Sequence, residues 1–314
     1  MDGGEDGFVT VDEPIMATRV EVTLPEAQRH HAEEVFAVFR EVEAIASEWR
    51  STSPLSEVNT SAGQPVPVPE DLRTLLHRGV AIGEMTGGAF DITWGALWGL
   101  WDFSAEEPRV PQAEEVARRA ALVDYRRVEI DDGGGTVRLA RQGMVLGLGG
   151  IAKGWALDRS VLALLDAGVS HFSLSAGGQV VVGGLKGDRP WRVGIRDPRG
   201  KPDDYFAIVE ASNVSVSTSG DYERFFVEEG VRYHHILDPR TGMPARGLRS
   251  VTVITPDATL ADALSTALMV MGVEAGLALV ERLPEVEAVL VDDRGHPHGS
   301  AGARYHEVHP PRER

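Results

Sequence analysis

Short alternating stretches trade places along the chain with longer stripes of apolar residues spaced three and four apart. MATRVEVTL, Met16 to Leu24, alternates and predicts a strand with one buried face. Val35, Phe36, Val38, Phe39, Val42 and Ile45 share one side of a helix predicted over Ala27 to Trp49. A Ser/Pro-rich loop over 50–69 follows, then a helix from Asp71 to Thr86 that Gly87-Gly88 ends. A short helix is predicted over 111–122, and strands over Tyr125–Ile130, Thr136–Leu139 and Met144–Leu146. The glycine-rich GLGGIAKG opens a helix from Trp155 to Ala167. Further strands are expected over His171–Leu174, Val180–Gly183, Trp191–Ile195, Phe206–Val209, Tyr233–Leu237, Leu248–Thr255 and Val286–Val291. ADALSTALMVMG, Ala261 to Gly272, reads as a helix, and a second one runs from Val273 to Val280.

This order predicts an α+β fold with antiparallel strands in the majority. Residues 1–14 read as an acidic lead-in, and 15–314 as a single domain. An apolar content of 42% over 314 residues is ample for a core. The formal net charge of −17 and the lack of a Lys/Arg cluster argue against nucleic-acid binding. With no cysteine, disulfides, thiolate catalysis and cysteine zinc sites are excluded. The first residues lack the apolar segment of a secretory signal, and no run of about 18 apolar residues is apparent. The expectation is a cytoplasmic protein without a membrane span.

Candidate chemistry begins with Asp262 and Thr266, four apart and so on one helix face. The first turn of a helix favours a carboxylate, and the pair could also supply hard oxygen ligands for Mg²⁺. In GLGGIAKG, close glycines before a helix let backbone approach a pyrophosphate, and Lys153 could neutralise it. Trp155 follows Gly154 where a P-loop would need Lys-Ser/Thr. SAGGQ, 175–179, is a second glycine turn. YHHILDPRTGMPARG, 233–247, is the densest polar cluster, and only one of its adjacent histidines can face a given pocket. Trp94, Trp98 and Trp101 form either a packed aromatic patch or the lining of a flat ligand site.

MATRVEVTL, AFDITWGALWGLWDF, GLGGIAKGWALD, SAGGQV, WRVGIRDP, STSGDYERFF, YHHILDPRTGMP and DATLADALSTALMVMG, in that order, resemble the ApbE family, the FAD:protein FMN transferases. The resemblance implies a fold like the family's T-fold. It implies Mg²⁺-dependent cleavage of FAD, with FMN passed to a Thr or Ser hydroxyl of a target protein and AMP released. By resemblance, Asp262, Thr266 and the carbonyl of Ala152 match the metal ligands. His235 and Asp262 match catalytic positions and are alternative acceptors for the hydroxyl proton. Met16, Thr18, Asp91, Thr93, Gly150, Lys153, Gly177 and Gly178 match positions near the dinucleotide.

Four positions depart from the family's usual pattern. Ala17 replaces a glycine, Ala96 a proline, and Gly147 and Gln179 each an aspartate. The surviving metal pair favours a transferase. Hydrolysis of FAD to FMN and AMP at the same site, and a non-catalytic flavin-binding protein, are the alternatives.

Overall fold

The computed structural model describes residues 7–312. The chain opens with a hairpin, β1 (Phe8–Ile15) and β2 (Thr18–Pro25), whose ladder runs Phe8↔Pro25 to Ile15↔Thr18. The segment expected as a lead-in is therefore a strand from Phe8 onward, and residues 1–6 lie outside the described residues. A 3₁₀ turn takes up 26–31, so α1 starts at Ala32 and ends at Ala46. Its buried stripe of Val35, Phe36, Phe39 and Val42 is the one that the spacing predicted.

The loop expected over 50–69 holds α2 (Pro54–Thr60). Ser53 caps it by accepting from the Ser56 N–H at 3.0 Å, and Pro54 sits at the first helical position, a start signal that the Ser/Pro composition concealed. After β3 (Val66–Pro67) come α3 (Glu70–Met85), α4 (Ala113–Ala120), β4 (Val128–Asp131) and β5 (Thr136–Leu139). β3, β5 and β4 form a small sheet. Met144–Leu146 is not a strand; Val145 makes only an isolated bridge to Trp94.

α5 (Ala152–Asp166) leads into β6 (Phe172–Ala176), β7 (Gln179–Gly183), β8 (Trp191–Arg196), β9 (Tyr205–Ala211) and β10 (Val214–Gly220). A hairpin that the pattern did not predict as such follows, β11 (Phe225–Glu228) with β12 (Val231–His234). The chain then runs through β13 (Leu248–Thr255), α6 (Ala258–Val280), β14 (Glu287–Asp292), β15 (Pro297–Gly299) and β16 (His306–Glu307).

The main sheet has eight strands in the order β1-β2-β6-β7-β10-β13-β14-β15, with antiparallel neighbours throughout. α6 packs on β13 and β10, and α1 and α5 pack on each other. On the other side, β8 and β9 bury Trp191, Val193, Phe206 and Val209 against Val182, Val216, Val289 and Val291 of the sheet. β13 is thus sandwiched, which is why LRSVTVIT is buried along nearly its whole length, whereas β2 alternates. The α+β expectation and its antiparallel majority hold.

α6 is the one helix among the described residues long and apolar enough to cross a membrane, contrary to the expectation that no such stretch exists. It breaks at Gly272, whose φ of 78° lies in the left-handed region, and half of its most apolar window is buried inside the protein. The break falls where the predicted helices met.

Candidate active site

α5 and α6 cross with almost no gap. A Cβ on Gly154 would come within 2.3 Å of the Ala258 carbonyl oxygen and 2.7 Å of the Thr259 Cα. One turn along α5, Asp158 accepts from the N–H groups of Ala258 (2.8 Å) and Thr259 (2.9 Å). Asp257 caps Leu260 at 2.8 Å. The amino end of α6 is therefore satisfied within the protein, and burial raises the Asp158 carboxyl above its ordinary range.

Asp262 lies in the second turn of α6, not the first as the shorter helix implied. A specific donor replaces the helix-end field: Oδ2 accepts from the Gly154 N–H at 3.0 Å and stands 3.7 Å from Lys153 Nζ. Only this oxygen is engaged among the described residues. Thr266, one turn later and half-buried, has its Oγ1 3.5 Å from Ser219 Oγ. Gly150 abuts it, since a Cβ there would lie 3.5 Å from the same hydroxyl. Ser265 donates to the Asp262 carbonyl at 2.9 Å and lies 2.8 Å from the same Ser219 Oγ. Ala152, the first residue of α5, is buried two residues before the N–H that holds Asp262.

Lys153 joins this group to two glycine-type turns. Its Nζ donates to the Gly149 carbonyl at 2.8 Å. A Cβ on Gly177 would press on its Cδ at 3.1 Å and Cε at 3.2 Å, with Thr18 Oγ1 at 3.5 Å. Gly177 (φ 56°) and Gly178 (φ 86°) form the tight β6–β7 turn. The register Val20↔Ala176 brings it beside the β1–β2 turn. There Met16 and Ala17 also take positive φ, 54° and 55°, which is uncommon for residues with a Cβ. They border an open cavity of about 740 Å³ lined also by Ile15, Thr18, Glu43 and Arg50.

The two histidines separate as the strand alternation requires. His234 is buried; its Nε2 donates to the Ala245 carbonyl at 2.8 Å, and its Nδ1 accepts from the Ile236 N–H at 3.3 Å. His235 leaves β12 with its N–H on the Arg224 carbonyl (3.0 Å) and its Nδ1 buried without a partner. Burial first, then the nearby His234, Arg224 and Lys153, push it down to about 4.

Two neighbours escaped the sequence reading. Glu48 Oε1 lies 3.7 Å from the Cβ position of Gly149. Burial raises its carboxyl against the opposing pull of its own N–H, that of Leu148 and the Lys153 charge. Trp49 is 79% exposed and stacks on Trp98 at 5.3 Å, which meets Trp94 edge-on at 5.7 Å. The tryptophan patch is packed, with one open indole at its rim. No local pattern marks Glu48; the loop it meets lies about a hundred residues along the chain.

Other expected residues are not brought into the group. Asp91 Oδ1 accepts from the Thr93 N–H (2.7 Å) and hydroxyl (2.6 Å), and Oδ2 from the Tyr125 N–H (2.9 Å). Thr93 Oγ1 accepts in turn from the Asp124 N–H at 2.8 Å. Both side chains are buried and hydrogen-bonded within this knot. The knot lies next in sequence to Phe90, whose ring would be 3.4 Å from a Cβ on Gly150. The DPRTG loop also closes on itself, Asp238 pairing with Arg240 at 2.8 and 2.9 Å.

The profile of the ApbE family matches residues 16–290, most of the chain. The chain belongs to the ApbE family. An FAD:protein FMN transferase from Treponema pallidum (strain Nichols) is 38% identical over 301 residues, covering 90% of this chain and 83% of that protein. Another, from Vibrio cholerae, is 34% identical over 267 residues, covering 83% and 79%. Among solved structures, the ApbE protein of Thermotoga maritima matches with a TM-score of 0.86 at 36% identity, covering 94% of this chain and 97% of that one. The flavin transferase ApbE from Vibrio cholerae matches at 0.83 and 29% identity, with the same coverage.

The departures from the ApbE pattern have local reasons. A Cβ on Gly147 would meet Trp94 Nε1 at 2.8 Å and Trp98 Cζ2 at 3.1 Å, so no larger side chain fits without repacking. Gln179 is buried and donates to the Ala258 carbonyl at 2.7 Å and Ser215 Oγ at 3.1 Å, contacts for which an amide is suited and a carboxylate is not. Ala96 donates its N–H to the Thr93 carbonyl at 3.2 Å, which proline cannot do.

Proposed function

We propose that this chain transfers FMN from FAD to a Thr or Ser hydroxyl of an acceptor protein, releasing AMP. The observation that carries this reading is the group formed by Asp262, Thr266 and Lys153, with Gly150 and Gly177 leaving backbone bare around it. Membership of the ApbE family and the names of its relatives support the substrates.

The donor set suits Mg²⁺. Asp262 keeps one oxygen open, Thr266 offers a hydroxyl one turn on, and Ala152 begins the helix that holds Asp262; these are hard oxygen donors. Bound there, the ion would draw charge from the pyrophosphate oxygens. Lys153 stands ready for the negative charge that grows on departing AMP. The acceptor oxygen bonds to the FMN phosphorus, the bridging P–O bond breaks, and AMP leaves with the electron pair.

The hydroxyl proton needs an acceptor. Burial above all, then the charges of His234, Arg224 and Lys153, makes His235 a poor base in the empty site. A pyrophosphate beside Lys153 reverses that local charge and raises the basicity of the imidazole. His235 is thus a better base with FAD bound than without it.

The test is a mass measurement on an acceptor domain incubated with FAD and Mg²⁺. The expected result is a gain of one FMN group that is lost on Asp262→Asn. FAD split to FMN and AMP with an unchanged acceptor would favour the hydrolase, and intact bound FAD would favour a flavin-binding protein.

A further inference from the structure

β11 and β12 form a two-stranded sheet joined to no other among the described residues. Such a hairpin is marginal alone. One face is secured: Phe226 and Tyr233 stack at 5.2 Å, Tyr233 lies 5.6 Å from Trp101, and Phe226 lies 6.0 Å from Phe103. The other face is open toward its tip, while His234, opposite Phe225, is buried. Phe225 is 38% and Val227 57% exposed, side by side by strand alternation, with the Arg232 guanidinium 3.7 Å over the Phe225 ring.

The charge here runs against that of the molecule. On a chain of net charge −17, the base of this hairpin gathers guanidinium groups. The buried Asp221 pairs with Arg199 at 2.6 and 2.7 Å and is shared by Arg232 at 3.7 Å, leaving one positive charge in excess. Arg224 is exposed and has no carboxylate partner among the described residues; Arg246 is exposed and lies 5.3 Å from the Tyr233 ring centre. Glu228 and Glu229 sit at the far tip. Arg224 is also bonded through its carbonyl to the His235 N–H, so the cationic end is the one next to the site.

We infer that this hairpin is where the acceptor protein docks, with an apolar side chain of the acceptor on Phe225 and Val227 and acidic residues near its target hydroxyl facing Arg224, Arg232 and Arg246. This rests on the transferase reading above. Against a net charge of −17, a cationic strip beside His235 admits such a segment and sets which end approaches the site.

The experiment measures FMN transfer to an acceptor domain with acidic residues flanking its Thr, using wild type, Arg224→Glu, Arg246→Glu and Val227→Asp, with FAD binding followed by tryptophan quenching. All three changed side chains are exposed; Arg246 and Val227 are no part of the FAD group, and for Arg224, whose charge bears on His235, the acceptor KM is read apart from kcat. The expected result is a rise of at least tenfold in KM for the acceptor in each variant, with FAD affinity unchanged and a weaker salt dependence in the two arginine variants. Restored transfer by Arg224→Glu to an acceptor whose acids are replaced by Lys would support direct contact. An unchanged acceptor KM, or a loss of FAD affinity that accounts for the whole effect, would overturn the docking assignment. If wild type transfers no FMN to any acceptor, the transferase reading itself falls.

Discussion

Asp91 and Asp262 are both buried carboxylates that grip backbone N–H groups, yet they leave different amounts undone. Asp91 accepts three hydrogen bonds through both oxygens, and its partner Thr93 is likewise committed. Asp262 commits one oxygen to Gly154 and keeps the other, beside a lysine, a hydroxyl and a stretch of bare glycine backbone. The first arrangement is a fastening; the second has unused coordinating capacity. Burial and residue type are the same in both, so what distinguishes a site from a brace is which lone pairs remain.

The strongest way to break this comparison is Asp262→Asn. The amide still accepts from Gly154, so folding should persist while transfer falls at least about 1000-fold, or about 4 kcal/mol in the barrier. Retained transfer, read as acceptor mass per minute, would make Asp262 a brace too. Asp91→Ala should behave in the opposite way. It strands the N–H groups of Thr93 and Tyr125 and should cost about 3 kcal/mol in urea unfolding, with turnover per folded molecule nearly unchanged. A collapse of turnover without loss of stability would put Asp91 in the site.

His235 sharpens the same contrast through pH. Its folded value of about 4 lies below the ordinary value near 6.5, so the unfolded chain binds the proton first as pH falls. Its neutral form therefore contributes stability fully above about pH 6.5, and this is lost on acidification toward pH 4. The stability gap between wild type and His235→Asn should narrow by about 3 kcal/mol over that window, measured by denaturant titration at each pH. A constant gap would mean that His235 is not desolvated. Smallest is Ala17→Gly, expected to stabilise by about 1 kcal/mol by relieving the positive φ at the cavity rim. No gain in melting temperature would show that the turn carries no strain.

Much of this molecule was legible in one dimension. The helix stripe of α1, the alternation of β2 and the break at Gly272 follow from side-chain period and glycine, which act locally. Where local signals were misread, another cue had been present: Ser53-Pro54 marked α2 inside a stretch that looked like loop. The β11–β12 hairpin was missed because its inner aromatic residues find their partners in Trp101 and Phe103, more than a hundred residues upstream.

The sequence by itself determined the α+β class, the glycine turns, and the Asp262–Thr266 spacing on one helix face, because each depends on residues a few positions apart. Only the tertiary structure decided that Gly154 lets α5 touch α6 and hands its N–H to Asp262, that Lys153 and Thr18 both lie against Gly177, and that Glu48 faces the Gly149 loop. It also decided that Asp91 and Thr93 turn inward. A hydrogen bond is exclusive and short-ranged, so whether a polar group is spent or free is settled by its neighbours in space, which the order of residues does not specify.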